Sequence, residues 1–242
     1  MQHLFKKWKQ VRPLLRRRPV FLFLDYDGTL TPIVAHPDLA KFSREGKRSL
    51  RRLSFCDGVG VAVVSGRSLP ELKRRVGVRG ICYAGNHGLE FEGPGLSFTH
   101  PKAQAAVKRF AMLCRRLRAA FRNTPGVFVE NKVLTLSVHY RALPSRRVRH
   151  AKEVLLKTLG NALSDGFAVL REGKKVWEIR PPVSWDKGTM ALWILDKIQE
   201  GEGRAKNILP VYAGDDKTDE DAFKALEGKG ISVKITPRTK VR

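Results

Sequence analysis

The chain has 242 residues, 42% of them hydrophobic, enough for one large domain or a core domain carrying a smaller insert, and too apolar for disorder to be the default. Lys and Arg number 47 against 23 Asp and Glu, a formal charge of +24 that favours anionic partners: nucleic acid, anionic lipid or a phosphorylated substrate. No run approaches the roughly 18 to 20 apolar residues of a membrane span, no signal-peptide stretch is visible, and the three scattered cysteines give neither a disulfide framework nor a zinc site, so a soluble protein of the reducing cytoplasm is expected.

Residues 1–19 carry seven basic side chains (Lys6, Lys7, Lys9, Arg12, Arg16, Arg17, Arg18) and no acid, with Leu4, Phe5, Trp8, Val11 and Leu15 at helical spacing. Such a basic amphipathic helix can lie on a membrane or bind a partner, but its usual role, expected here, is to pack its apolar stripe on its own domain. Nucleic-acid binding would need a zinc-finger spacing, an RNP-type aromatic pattern or a recognition helix; none is present, and no nucleic-acid partner is expected.

From Pro19 the chain alternates apolar runs with helical stretches. PVFLFLDYD reads as a buried strand, residues 40–54 as a helix, GVAVVSG as a second buried strand, and 69–76 as another helix. ICYAGNHG is a short strand ending in a loop with Asn86 and His87. This rhythm predicts an α/β fold with a parallel sheet. Between about Gly93 and Pro182 it changes to helix (102–122), strands VFVE and VLTLSVHY, helix (145–163), and strands FAVLRE and KVWEIR. Helix, strand pair, helix, strand pair predicts a small α+β domain with an antiparallel sheet. The α/β rhythm then resumes with a helix from Lys187 to Gln199, the strand NILPVYAGDD, a helix from Thr218 to Leu226, and the strand GISVKI. The expected division is therefore 1–94 core, 95–181 inserted cap, and 182–242 core.

The polar residues DYDG, SGR and GDD fall at the carboxyl ends of core strands, where parallel sheets bind ligands. Asp25 and Asp27 are held two apart just past a strand. Alone they are a common Asp-Gly turn. Asp215, Asp216 and Asp219 add further carboxylates to that edge in a chain short of acids, and clustered carboxylates repel unless a cation joins them. Oxygen-only ligands suit Mg2+. Ser65 in VVSGR can bond a phosphate oxygen, and Lys187 in SWDKG supplies a cation at a helix start, which completes a phosphoryl-transfer set.

In this order DYDGTL, SGR, DKG and GDDKTDED resemble the four motifs of the haloacid dehalogenase superfamily, which implies its Rossmann-like core with the cap inserted between the second and third motifs. YAGNHG, VENK, LSVHYR, GKKVWEIRP before DKG, and YAGDDKTDEDAF narrow the resemblance to trehalose-6-phosphate phosphatases. The resemblance implies Asp25 as nucleophile, forming an aspartyl-phosphate, and Asp27 as acid and then base. It implies Mg2+ held by the Asp25 carboxylate, the Asp27 carbonyl and Asp215, and Lys187 and Ser65 on the phosphoryl group. Asp216 and Asp219 support the metal through water or orient Lys187, with direct ligation by Asp219 the alternative. Thr29 either bonds the phosphate or is a turn residue.

In the family the insert is a cap that closes over the active site and reads the non-reacting sugar. Glu130, Lys132 and Glu178 are carried over first, with His139, Arg141 and Lys174 beside them on or near cap strands. Asn86 and His87 could reach the sugar, hold the phosphate, or cap loop backbone, and Arg67 could contact either domain. The implied activity is hydrolysis of trehalose 6-phosphate by a monomer, with a trehalose-6-phosphate synthase as a conceivable partner. The alternatives are a phosphatase for sucrose, mannosyl or glucosyl-glycerate phosphate, or a non-catalytic partner module of a glycosyltransferase. The family continues past the last strand with a further strand and helix, whereas here GISVKITPRTKVR ends, which is read as a smaller core edge or a truncated form with a frayed basic tail.

Overall fold

In the computed structural model, which describes residues 3–34, 39–201 and 207–236, the basic N-terminal segment forms a 3-10 turn at Leu4–Lys7 and helix α1 at Trp8–Arg17. Neither buries a residue. Leu4, Val11 and Leu15 are half-covered while Phe5 and Trp8 are exposed, so the packing expected of this stripe is incomplete. Among the described residues no helix is long and apolar enough to cross a membrane.

Of the described residues, those up to Phe98 and from Trp185 onward make one compact unit. Its strands are β1 (Val20–Asp25), β2 (Val59–Val64), β3 (Cys82–Gly85), β4 (Glu90–Gly93), β5 (Leu96–Thr99), β10 (Leu209–Gly214) and β11 (Ile231–Lys234). They form one sheet in the order β11-β10-β1-β2-β3-β4-β5, and the first five in that order run parallel. Alternation along β1 decides which helices cover which face. Phe21 and Phe23 pack with Met190, Ala191, Ile194, Tyr212, Ala222 and Leu226, from helices α6 (Lys187–Gly201) and α7 (Lys217–Ala225) and their surroundings. Leu22 and Leu24 face the cluster of Leu50, Leu72 and Val76, from α2 (Arg44–Ser54) and α3 (Leu69–Val76). The sheet is thus wound on both faces, as the alternating elements predicted.

The β4–β5 hairpin has no counterpart among the elements expected from sequence. Glu90–Phe91–Glu92 and Leu96–Ser97–Phe98 alternate about the turn at Gly93, Pro94 and Gly95, a signal that was short enough to pass for loop. β4 runs antiparallel to β3, with Tyr83 opposite Glu92. Helix α2 starts at Arg44, after the Ser43 side chain accepts from the Gly46 N–H at 2.9 Å, rather than at residue 40.

The second unit, Thr99–Ser184, holds helices α4 (Pro101–Ala120) and α5 (Ser145–Ser164) and the strands β6 (Phe128–Asn131), β7 (Leu136–His139), β8 (Val169–Gly173) and β9 (Val176–Arg180). The strands form an antiparallel sheet in the order β6-β7-β9-β8. Val129, Leu136, Val138, Trp177 and Ile179 point to one face, where Phe110, Leu117, Leu155 and Leu159 of the two helices bury them. β7 begins at Leu136 rather than 133, because Val133 takes a left-handed turn conformation, φ +71°, with its N–H bonded to Asn131 Oδ1 at 2.9 Å. Residues 237–242 of the expected frayed tail lie outside the described residues.

Candidate functional site

β1 delivers Asp25 to the carboxyl edge of the sheet, where it is 4% exposed, opposite Val64 at the end of β2. Lys187 arrives from the first turn of α6, whose start is fixed by Asp186 accepting from the Thr189 N–H at 2.8 Å. The two meet: Lys187 Nζ lies 2.7 Å from Asp25 Oδ1 and 2.7 Å from Asp219 Oδ1. Burial, opposed by the Lys187 charge and reinforced by the nearby Asp219 and Asp216 carboxylates, pushes the Asp25 carboxyl well above its ordinary value. Burial pulls Lys187 down, yet Asp25, Tyr212 and Asp219 outweigh it and leave the ammonium's pKa well above an ordinary lysine's. Lys187 is a fixed cation.

Asp219 is the hub of this arrangement. Its Oδ1 accepts from Lys187 Nζ and, at 2.9 Å, from the Tyr212 hydroxyl, while its Oδ2 accepts from the N–H groups of Asp215 and Asp216, each at 3.0 Å. Burial holds Tyr212 protonated by raising its pKa well above the usual value, so it remains a donor. The same residues cap a helix: Asp216 accepts from the N–H groups of Thr218 and Asp219, and Asp219 bonds back to the Asp216 N–H, a capping box at the start of α7. Burial would raise the Asp216 carboxyl, but Lys187 and these bonds outweigh it and hold it below its ordinary value. Tyr212 was missed in the sequence, where it reads as one more apolar residue of a buried strand.

Oxygens of Asp25, Asp215 and Asp219 lie within 4.8 Å of one another, an all-oxygen donor set of the kind Mg2+ takes. Four accepted hydrogen bonds use the acceptor capacity of Asp219, so Asp25 and Asp215 are the members of the cluster best fitted to face a cation. Gly28 makes room for the Asp215 carboxylate. Its φ is +98°, and a Cβ there would sit 2.2 Å from Asp215 Oδ1.

Asp27 is gripped by Arg67, with Nε to Oδ2 and Nη2 to Oδ1 both at 2.8 Å. Arg67 in turn bonds Glu71, one turn along α3, which also accepts from Arg75 Nε at 2.6 Å. Burial pulls the guanidinium's pKa down, but Asp27 and Glu71 more than offset it and leave it raised. Ser65 Oγ accepts from the Arg67 N–H at 3.1 Å and lies 3.5 Å from Asp27 Oδ2. Arg67, for which the sequence leaves contact with either domain open, including the substrate, is thus first of all the clamp on Asp27. Glu71 was not singled out, although Arg67-Glu71-Arg75 at helical spacing was its signal.

Asn86 and His87 are buried and both adopt positive φ, +48° and +58°, a strain of about 1–3 kcal/mol each that surrounding bonds must hold. Their N–H groups bond the Arg67 and Ser65 carbonyls at 2.7 and 2.9 Å, and Asn86 Nδ2 bonds Glu90 Oε1 at 2.6 Å. The His87 ring covers Gly66, where a Cβ would come within 2.5 Å of it. Both residues therefore fasten the Ser65–Arg67 loop.

In the second unit, Glu130, Ser137 and Glu178 lie opposite one another on β6, β7 and β9. His139 Nε2 is 2.8 Å from Glu130 Oε2, and Lys132, 7% exposed, has its Nζ 4.0 Å from the same oxygen. Glu178 is paired with Arg180, and Arg141 bonds the Lys174 carbonyl at 3.0 Å. Glu130, His139 and Glu178 thus share the sheet face away from α4 and α5, with Lys132 beside Glu130, while Arg141 and Lys174 meet each other outside the strands.

A family model described as Trehalose-phosphatase matches residues 23–242. Trehalose-phosphate phosphatase of Mycobacterium marinum is 37% identical over 88% of this chain and 53% of its own length, and trehalose-phosphate phosphatase B of Arabidopsis thaliana is 36% identical over 91% and 61%. The chain spans about half to two thirds of the length of the curated relatives it matches. The solved C-terminal domain of the C. albicans trehalose-6-phosphate phosphatase is 27% identical, covers 90% of this chain and 78% of its own, and superposes with a TM-score of 0.70.

Proposed function

Since the chain belongs to the trehalose-phosphatase family, we propose that it hydrolyses trehalose 6-phosphate to trehalose and phosphate through an aspartyl-phosphate on Asp25. The observation that carries this reading is the buried Asp25–Lys187–Asp219 contact beside Asp215 and the Arg67-clamped Asp27: a nucleophile, a fixed cation, an acidic metal pocket and a proton carrier at one sheet edge.

In this mechanism a carboxylate oxygen of Asp25 attacks phosphorus in line with the sugar oxygen. The P–O bond to the sugar breaks as Asp27 delivers a proton to the leaving oxygen. Water then attacks the phosphorus of the aspartyl-phosphate, its proton passes to Asp27, and phosphate leaves with Asp25 restored. Lys187, held by Asp219, and the Ser65 hydroxyl carry the phosphoryl oxygens, and the two-armed grip of Arg67 fixes the orientation of Asp27. Asp25 and Asp215, with the Asp27 carbonyl, would hold Mg2+, which when bound offsets the repulsion between the anionic nucleophile and the phosphate. Asp219 serves by orienting Lys187.

For the sugar we propose Glu130, Lys132 and Glu178, with His139, Arg141 and Lys174 as their supports. Carboxylates and an ammonium on one sheet face supply the acceptors and donors that a substrate made of hydroxyls needs. A panel of phosphate esters with Mg2+ tests the reading. Trehalose 6-phosphate should give the highest kcat/KM; tenfold or more in favour of sucrose, mannosyl or glucosyl-glycerate phosphate would replace the substrate.

A further inference from the structure

We infer that Ser137 is a specificity-determining residue whose hydroxyl bonds a hydroxyl of the non-reacting sugar; this rests on the sugar-phosphate reading above. Ser137 lies opposite Glu130 on β6 and opposite Glu178 on β9. Directly opposed residues in antiparallel strands share a face with Cβ atoms about 4.5–5.5 Å apart. The three side chains therefore form one row across three strands, on the face away from the Val129, Val138 and Trp177 core.

Ser137 is 1% exposed, and its Oγ has no hydrogen-bond partner among the described residues. A buried hydroxyl left unmet costs stability, and β7 would hold an alanine or valine at this position at no such cost. The neighbouring groups show what the hydroxyl adds. Glu130 and Glu178 can only accept and Lys132 can only donate, whereas a sugar hydroxyl both donates and accepts. A sugar hydroxyl that gives its proton to either carboxylate still needs a donor for its oxygen. Ser137, between the two carboxylates, is placed to be that donor.

The test is the ratio of kcat/KM for trehalose 6-phosphate to that for p-nitrophenyl phosphate, which has no sugar, measured in wild-type, Ser137→Ala and Ser137→Thr proteins, with Tm for each. The alanine variant should lower the ratio about tenfold without lowering Tm, and threonine, which keeps the hydroxyl, should recover part of it. Should alanine fold poorly, Ser137→Cys, nearly isosteric and a weak donor, gives the same reading. An unchanged ratio in a folded alanine or cysteine variant overturns the assignment, whatever happens to Tm. A wild-type protein that does not prefer trehalose 6-phosphate to p-nitrophenyl phosphate overturns instead the functional reading on which the assignment stands.

Discussion

Arg67 holds Asp27 by two parallel hydrogen bonds of 2.8 Å, so the side chain assigned to proton transfer is fixed in plane and direction before substrate arrives. Lysine cannot reproduce that fork. Arg67→Lys should lower kcat/KM for phosphate release about 10- to 100-fold, the range that follows from a misplaced catalytic group. A variant within twofold of wild type would show that the grip is structural only.

The pocket formed by Asp25 and Asp215 should reveal its cation through stability. Mg2+ that binds the folded state alone stabilises it, by about 2.7 kcal/mol at a hundredfold excess over Kd. Wild-type Tm should therefore rise with Mg2+ and saturate. In Gly28→Ala, the added Cβ would have to displace the Asp215 carboxylate, and the Mg2+-dependent rise should be lost or strongly reduced. A Tm insensitive to Mg2+ in the wild type would remove the metal pocket from the account.

Glu90 ties the Asn86 side chain to the start of α3, with Oε1 accepting from Asn86 Nδ2 and from the Leu69 N–H, both at 2.6 Å. Burial raises its pKa above 4.5 despite these two bonds. A raised carboxyl pKa means that the folded state holds the proton more tightly, so stability contributed below pH 4.5 is lost as pH rises through the folded value. Gln keeps an accepting oxygen and never ionises. The Tm of Glu90→Gln relative to wild type should therefore be more favourable at about pH 8 than at about pH 5. A difference that is flat with pH, or reversed, contradicts this reading of Glu90.

Much of the fold was legible because the pattern had few ways to be satisfied. The apolar runs at β1, β2 and β10, too short for helices and bounded by Gly and Asp, could only be buried strands. The heptad-like stripe of Phe110, Leu113, Cys114, Leu117 and Phe121 could only be a helix on a core. The β4–β5 hairpin escaped because its strands have four residues each and only Phe91 among them is buried, which is little more than a turn. At the site, Asp25, Asp27, Lys187 and Asp215 were singled out by residue type at a strand or helix end. Asp219 and Arg67 were named as well, but Tyr212 and Glu71 were not, and neither was the pairing of Arg67 with Asp27, since pairing is a matter of tertiary distance. Tyr212 looks like one more apolar strand residue, Glu71 carries no motif of its own, and Arg67 after SerGly could contact either domain, whereas its fork lies on Asp27.

The most direct measurement is phosphate release from trehalose 6-phosphate in Mg2+ by wild-type and Asp25→Asn proteins. Asparagine is nearly isosteric, keeps an oxygen for Lys187 and removes only the nucleophilic charge. The account predicts steady release by wild type and a loss of about a thousandfold or more in a variant that remains folded. Release by Asp25→Asn at close to the wild-type rate, or none by wild type, would contradict it.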